Sequence, residues 1–216
     1  MPKGFTNQEK ELIRKRLIDQ GYKLFSIYGL RKTNIEEIAK AAGISKGAFY
    51  NFYDIKEALF MDIIEDVEFH ARMEILAAID IPGKTPRARL YVIFKKAFSL
   101  IESLPILQFL AGSDAETLFR RVPVEKLQEH MSSDKLFVDE LITKCKNAGI
   151  PIKMQSEQIL GLFYPLVISM LHKDDLKQEN INRSFDILLE LIAAYCLGEL
   201  ETIDWKYINF TVEERK

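Results

Sequence analysis

Between Thr33 and Lys56 the chain gathers hydroxyl, ammonium, phenol and amide groups: Thr33, Ser45, Lys46, Tyr50, Asn51 and Lys56, with Gly47 and Ala48 among them. Hydroxyls, lysines and tyrosines donate to phosphate oxygens, an asparagine amide pairs bidentately with adenine, and an alanine methyl meets the methyl of thymine. The set suits the backbone and base edges of a nucleic acid. A rival chemistry is hard to build from the rest. No Ser-His-Asp or Cys-His arrangement follows from the spacing, and no Gly-rich phosphate loop is present. His70, His130 and His172 are far apart and are read as lacking a ligand at i+4. Neither a metal nor a cofactor is therefore expected, and the chain does not read as an enzyme.

These groups need elements to aim them. Thr33 reads as a helix cap with Glu36 three residues on, the spacing of a capping box. Ile35, Ile38, Ala39 and Ala42 then form a small apolar face, and Gly43 stops the helix. Ser45 caps a second helix from Lys46 to about Phe52. Two short helices across a glycine turn are the content of a helix-turn-helix, whose second helix enters the DNA major groove. An earlier helix is announced by the Thr6 and Glu9 capping box, carries Ile13, Leu17, Leu24 and Tyr28 on one face, and ends at Gly29. Gly21 lies on that stripe and leaves room for another helix to approach.

Beyond the turn, Asp54 is expected to cap a long helix through Leu59, Phe60, Ile64, Val67 and Ile75, the natural mechanical link into the rest of the chain. Ile81-Pro82-Gly83 breaks the pattern, and Thr85-Pro86 restarts it. Pro105 and Gly112 punctuate an irregular helical stretch to about Val122. Pro123 opens another long helix, ended at Gly149, and two strongly apolar helices follow at about 155–172 and 180–200. The segment from Thr202 to Lys216 reads as either a short helix or an irregular arm. No segment has strand periodicity, so the fold class is all-α.

Across 216 residues, 48% hydrophobic and 29% charged content is that of a globular protein with a real core. The net charge of −2 conceals an asymmetry, because residues 1–60 hold 11 Lys and Arg against 7 Asp and Glu. A basic head on an acidic body suits a polyanion-binding module joined to something else. Cys145 and Cys196 read as core thiols in a reducing compartment. The N-terminus shows no apolar signal region, and the run Leu160–Leu171 is far short of the ~20 residues that span a membrane. A cytoplasmic location without a membrane partner is expected.

The run Thr33…Ile38-Ala39…Ala42-Gly43-Ile44-Ser45-Lys46-Gly47…Phe49-Tyr50…Tyr53…Lys56-Glu57-Ala58-Leu59 resembles the TetR/AcrR-like family of bacterial transcriptional regulators. The resemblance covers residues 6–60 well. Phe52 stands where the family usually has His or Tyr, and Tyr53 where Phe is usual. It implies a three-helix DNA-binding head at 1–53, joined to a helical-bundle domain at 54–216 for ligand binding and dimerisation. Carried over by position, Thr33, Ser45, Lys46, Tyr50 and Lys56 would contact phosphate, Gly47 would permit close approach, and Ala48 and Asn51 would face base edges. The family pairs its last two helices with those of a second subunit, so Ile159, Phe163, Leu166, Met170, Phe185, Leu188, Ile192 and Tyr195 are the expected dimer face. Aromatic content and helix position suggest Phe69, Met73, Phe94, Phe98, Phe109, Phe163 and Tyr164 as the lining of an effector pocket. The implied function is a homodimeric repressor that binds a palindromic double-stranded DNA operator and is released by a small molecule. The alternative is a non-specific DNA-binding, chromosome-organising protein without an effector.

Overall fold

Capping and periodicity account for most of the helix boundaries. In the computed structural model, which describes residues 5–82, 85–109, 113–173 and 180–200, no strand occurs among the described residues. Helix α1 (Asn7–Lys32) starts at the anticipated box: Thr6 accepts from the Glu9 amide, and the Glu9 carboxylate accepts from the Thr6 amide. It buries Ile13, Leu17, Gly21 and Phe25, four residues apart, and kinks at Gly29 before one further turn to Lys32. Helices α2 (Ile35–Ala41) and α3 (Lys46–Phe49) follow. Gly43, at φ 75°, makes the turn between them. Its amide bonds to Lys40 O and that of Ile44 to Ala39 O, so the carbonyls at the end of α2 are satisfied.

Three local expectations are corrected. The cap of α2 is Asn34, whose side chain accepts from the Glu37 amide at 2.9 Å. Thr33 is fully buried, and its hydroxyl donates to Gly29 O and Leu24 O, closing α1 instead of opening α2. Helix α3 ends at Phe49, and residues 50–52 continue as a turn held by Asn51 N–H to Ala48 O and Phe52 N–H to Phe49 O. Helix α4 (Lys56–Ala77) begins behind Ile55 without a side-chain cap, so Asp54 does not serve there.

A single 3₁₀ turn (Ala78–Asp80) leads on to α5 (Pro86–Glu102), capped by Thr85, then to the short α6 (Pro105–Gln108) and α7 (Ser113–Arg121). Helices α8 (Val124–Asn147), α9 (Ser156–Leu171) and α10 (Ile181–Cys196) complete the order among the described residues. Residues 202–216 lie outside the described residues.

Two apolar cores organise these helices. The first joins Leu17, Phe25, Ile38, Phe49 and Tyr53 to Leu59, Phe60 and Ile63 of α4, to Ile106 of α6 and Leu118 of α7, and to Val122 just after α7. The second holds Ile75, Leu90, Phe94, Phe98, Leu141, Ile159, Met170, Phe185 and Leu189. Helix α4 belongs to both, as the sequence suggested for a mechanical link. The boundary drawn at residue 53/54 does not follow these cores, because the first draws on α4, α6 and α7. Gly21 makes the α1–α4 approach possible: a Cβ there would stand 2.8 Å from Ile63 Cδ1.

Candidate nucleic-acid interface

Ser45 holds the start of α3 by accepting from the Ala48 amide at 3.1 Å. Phe49 is fully buried beneath the helix, and Tyr50 packs edge-on against it with ring centroids 5.7 Å apart. That anchoring leaves Tyr50 47% exposed, with Ser45, Lys46, Gly47 and Asn51 exposed beside it and Ala48 half-buried. Lys46 and Tyr50 share an open cleft of about 700 Å³ with Asn34, Lys40, Lys56 and Arg121, and also with the carboxylates of Glu36, Glu37, Asp54 and Glu57. Six of the eight residues proposed to contact DNA thus lie together on or beside α3.

The other two have work inside the protein. The Thr33 hydroxyl is spent on α1, as described. Lys56 Nζ donates to Leu30 O and Thr33 O, each at 2.6 Å, and to Arg31 O at 3.2 Å. It caps the C-terminal end of α1, where the helix dipole favours a cation. Burial lowers its pKa, partly opposed by the neighbouring Glu57 carboxylate. Asp114 of α7 completes this junction by accepting from the Leu30 amide at 2.6 Å.

The departures at positions 52 and 53 acquire a physical account. Phe52 packs against Phe5 with centroids 6.0 Å apart. The Tyr53 hydroxyl donates to Asp62 Oδ2 at 2.9 Å, while Lys126 of α8 reaches Asp62 Oδ1 at 3.0 Å. Burial, reinforced by the Asp62 charge, pushes the Tyr53 phenol far above its ordinary range. The extra hydroxyl therefore ties the end of the helix-turn-helix to α4 and, through Asp62, to α8.

The seven residues suggested for an effector pocket do not line one space. Phe94 and Phe98 are buried and meet Phe163 at centroid distances of 4.8 and 5.4 Å. Phe69 and Met73 face outward, 62% and 56% exposed. Phe109 lies against Gly29 at the end of α1, with Cδ1 2.8 Å from where a Gly29 Cβ would stand. Tyr164 donates its hydroxyl to Asp134 on α8. The cavity found in the second core is small, about 70 Å³, between Phe98, Met170, Phe185 and Leu189, with Lys95 and Lys173 at its edge. Both lysines are paired, with Asp186 and Glu102.

The expected dimer face is likewise divided. Ile159, Leu166, Met170 and Phe185 are buried within the protomer's own core, and Phe163 packs against that core. Leu188 is exposed, as are Ile187 and Leu191 on α10 and Leu162 and Ile168 on α9. Ile192 and Tyr195 are half-buried.

One cluster escaped the sequence reading. Glu68 of α4 and His130 and Asp134 of α8 bring donor atoms within 4.8 Å of one another. His130 and Asp134 are i,i+4 on one helix, contrary to the expectation that no histidine has a ligand at i+4, and only the fold brings Glu68 to them. Burial, with the Asp134 charge adding to it, raises the Glu68 carboxyl to about 7.

A helix-turn-helix head sharing its core with an all-helical body defines the class. Residues 17–63 match the family described as bacterial regulatory proteins, tetR family. The chain is 31% identical over 134 residues to the uncharacterised HTH-type transcriptional regulator YuxN of Bacillus subtilis, covering 58% of this chain and 45% of that one. It is 42% identical over 60 residues to the HTH-type transcriptional regulator AcrR of Shigella flexneri, 28% of either chain. It thus spans less than half the length of these curated relatives. Thermus thermophilus FadR, a TetR-family repressor solved with lauroyl-CoA, superposes with a TM-score of 0.60 at 21% identity, over 88% of this chain and 96% of that one. That likeness speaks for the fold. The chain is thus TetR/AcrR-like at residues 17–63, and its helical body resembles these structures in fold. Among the described residues, no helix is long and apolar enough to cross a membrane.

Proposed function

We propose that the chain is a ligand-responsive transcriptional repressor of the cytoplasm, binding a palindromic operator as a homodimer and released by a small-molecule effector. The observation that carries this reading is the exposed set Ser45, Lys46, Gly47, Tyr50 and Asn51 on the short α3, held by the buried Phe49. Phosphate donors and a base-reading amide stand on one turn, where a recognition helix carries them. Two such heads related by a two-fold axis would address half-sites about one helical turn, ~34 Å, apart or somewhat more. Helix α4, shared between the cores, is the element through which an effector in the body would change that spacing. DNA and effector would then compete because each favours a different arrangement. Since Thermus thermophilus FadR holds lauroyl-CoA, an acyl-CoA is the first effector class to try. The described cavity of about 70 Å³ holds no more than a few waters, so binding would have to part helices.

The test is selection of a DNA site from a random pool, followed by mobility-shift titration. A defined inverted repeat should emerge, and Lys46→Ala or Tyr50→Ala should weaken binding to it strongly while leaving the dimer intact. Asn51→Ala should relax base preference at one position in each half-site. Unchanged affinity in the Lys46 and Tyr50 variants would sink the assignment. Salt-steep binding without sequence preference would point to a DNA-organising protein instead.

A further inference from the structure

At the α4–α8 contact, three side chains able to bind a metal converge without any part in the proposed DNA surface. His130 Nδ1 is buried and has no hydrogen-bond partner, although Glu68 Oε2 stands 3.6 Å away. Its Nε2 lies 3.9 Å from Asp134 Oδ2. The counter-charge comes from Arg72, whose Nη2 sits 2.6 Å from Asp134 Oδ1 and 3.2 Å from Glu68 Oε2. The guanidinium also bonds Ser133 Oγ at 2.6 Å and lies over the Phe137 ring, 5.3 Å from its centroid. Tyr164 of α9 donates to Asp134 Oδ2 at 2.8 Å.

Two carboxylates crowd one guanidinium and one imidazole here, in a partly buried place where their charges are poorly screened. A buried imidazole nitrogen without a partner is costly unless something uses it. Both features have one remedy. We propose that Glu68, His130 and Asp134 form a binding site for a divalent transition cation of zinc-like preference, in which Arg72 holds the cation's place when it is absent. One nitrogen and two carboxylate oxygens are borderline-to-hard donors, suited to such an ion, and three protein ligands leave a fourth position for water. The Tyr164 hydroxyl on Asp134 is the outer hydrogen bond that orients a ligating carboxylate. Metal–ligand bonds of about 2.1 Å place donors about 3.4 Å apart, so the present groups close by side-chain rotation alone. Ser133 and Phe137 are positioned to keep the displaced guanidinium. An ion here fastens α4, which begins in the head at Lys56, to α8.

The experiment uses the full chain stripped with chelator and titrated with Co²⁺ under visible absorption, then with Zn²⁺ by calorimetry. One ion per chain, with d–d bands of a four- or five-coordinate nitrogen–oxygen site that Zn²⁺ abolishes, is the expected result. His130→Ala and Asp134→Asn should each weaken Zn²⁺ at least ~10-fold, with Tyr164→Phe following in the same direction. Arg72→Met should tighten it, because the competing cation is gone. The site is overturned by a wild-type protein without a stoichiometric Co²⁺ spectrum, by affinity that survives the His130 and Asp134 changes, or by weaker binding in Arg72→Met. The wild-type spectrum depends neither on a variant folding nor on DNA binding, so its failure stands apart from that of the repressor reading.

Discussion

A lysine and a threonine show how far residue type alone carries a binding assignment. Lys46 and Lys56 offer the same ammonium, yet Lys46 is exposed on α3 while Lys56 spends its donors on three carbonyls that end α1. Thr33 likewise turns its hydroxyl inward. Nothing in the local sequence separates these cases, because each depends on where the end of α1 comes to rest. The difference has a measurable form. Lys46→Ala should reduce the salt dependence of DNA binding by about one unit of slope, as loss of a phosphate contact does. Lys56→Met should leave that slope unchanged and cost about 1–2 kcal/mol in denaturant unfolding, since charged hydrogen bonds to carbonyls are lost at a partly exposed site. The burial of the two cysteines was legible. Burial raises Cys145 to about 11 and Cys196 to about 12, so both are protonated thiols at ordinary pH. A thiol reagent at pH 8 should label neither in the native protein within the time it labels both in guanidinium.

At the scale of elements, periodicity and caps located nearly every helix, and one boundary error falls where two adjacent residues could do the same job. Thr33 and Asn34 are both good caps, and α2 uses Asn34 because Thr33 is needed by the preceding helix. Asn34→Ala should therefore destabilise the head by about 1 kcal/mol, while Glu36→Ala, which removes no capping partner, should stay within about 0.5 kcal/mol. Equal losses from the two changes, measured by chemical denaturation, would restore the capping box at Thr33. The place of α6 and α7 was not legible. Their short, proline-broken pattern gave no sign that Ile106, Leu118 and Val122 complete the core of the head. That packing is tertiary, and it makes the head a structure built partly from residues more than forty positions downstream of its last recognition residue.

For the whole molecule, the proposed dimer turns on which face of α9 and α10 would meet a second copy. Both helices are apolar nearly all round, so spacing identifies stripes but not the side on which the protomer's own core lies. The core takes Ile159, Leu166, Met170 and Phe185. What remains outside is Leu162 and Ile168 on α9 with Ile187, Leu188 and Leu191 on α10, the last three between 43% and 52% exposed. Such a patch costs nothing to disrupt in the isolated protomer and a great deal if two copies bury it against each other. The double change Leu188→Asp with Leu191→Asp should thus leave helicity and protomer stability near their original values while shifting sedimentation from dimer to monomer. Operator affinity should fall with it, because half a palindrome then binds without its tethered twin. Phe185→Ala is the contrasting case, expected to cost about 3–5 kcal/mol of protomer stability as a cavity opens in the core. A double variant that still sediments as the wild type does would remove this face from the assembly and with it the proposed spacing of the two heads.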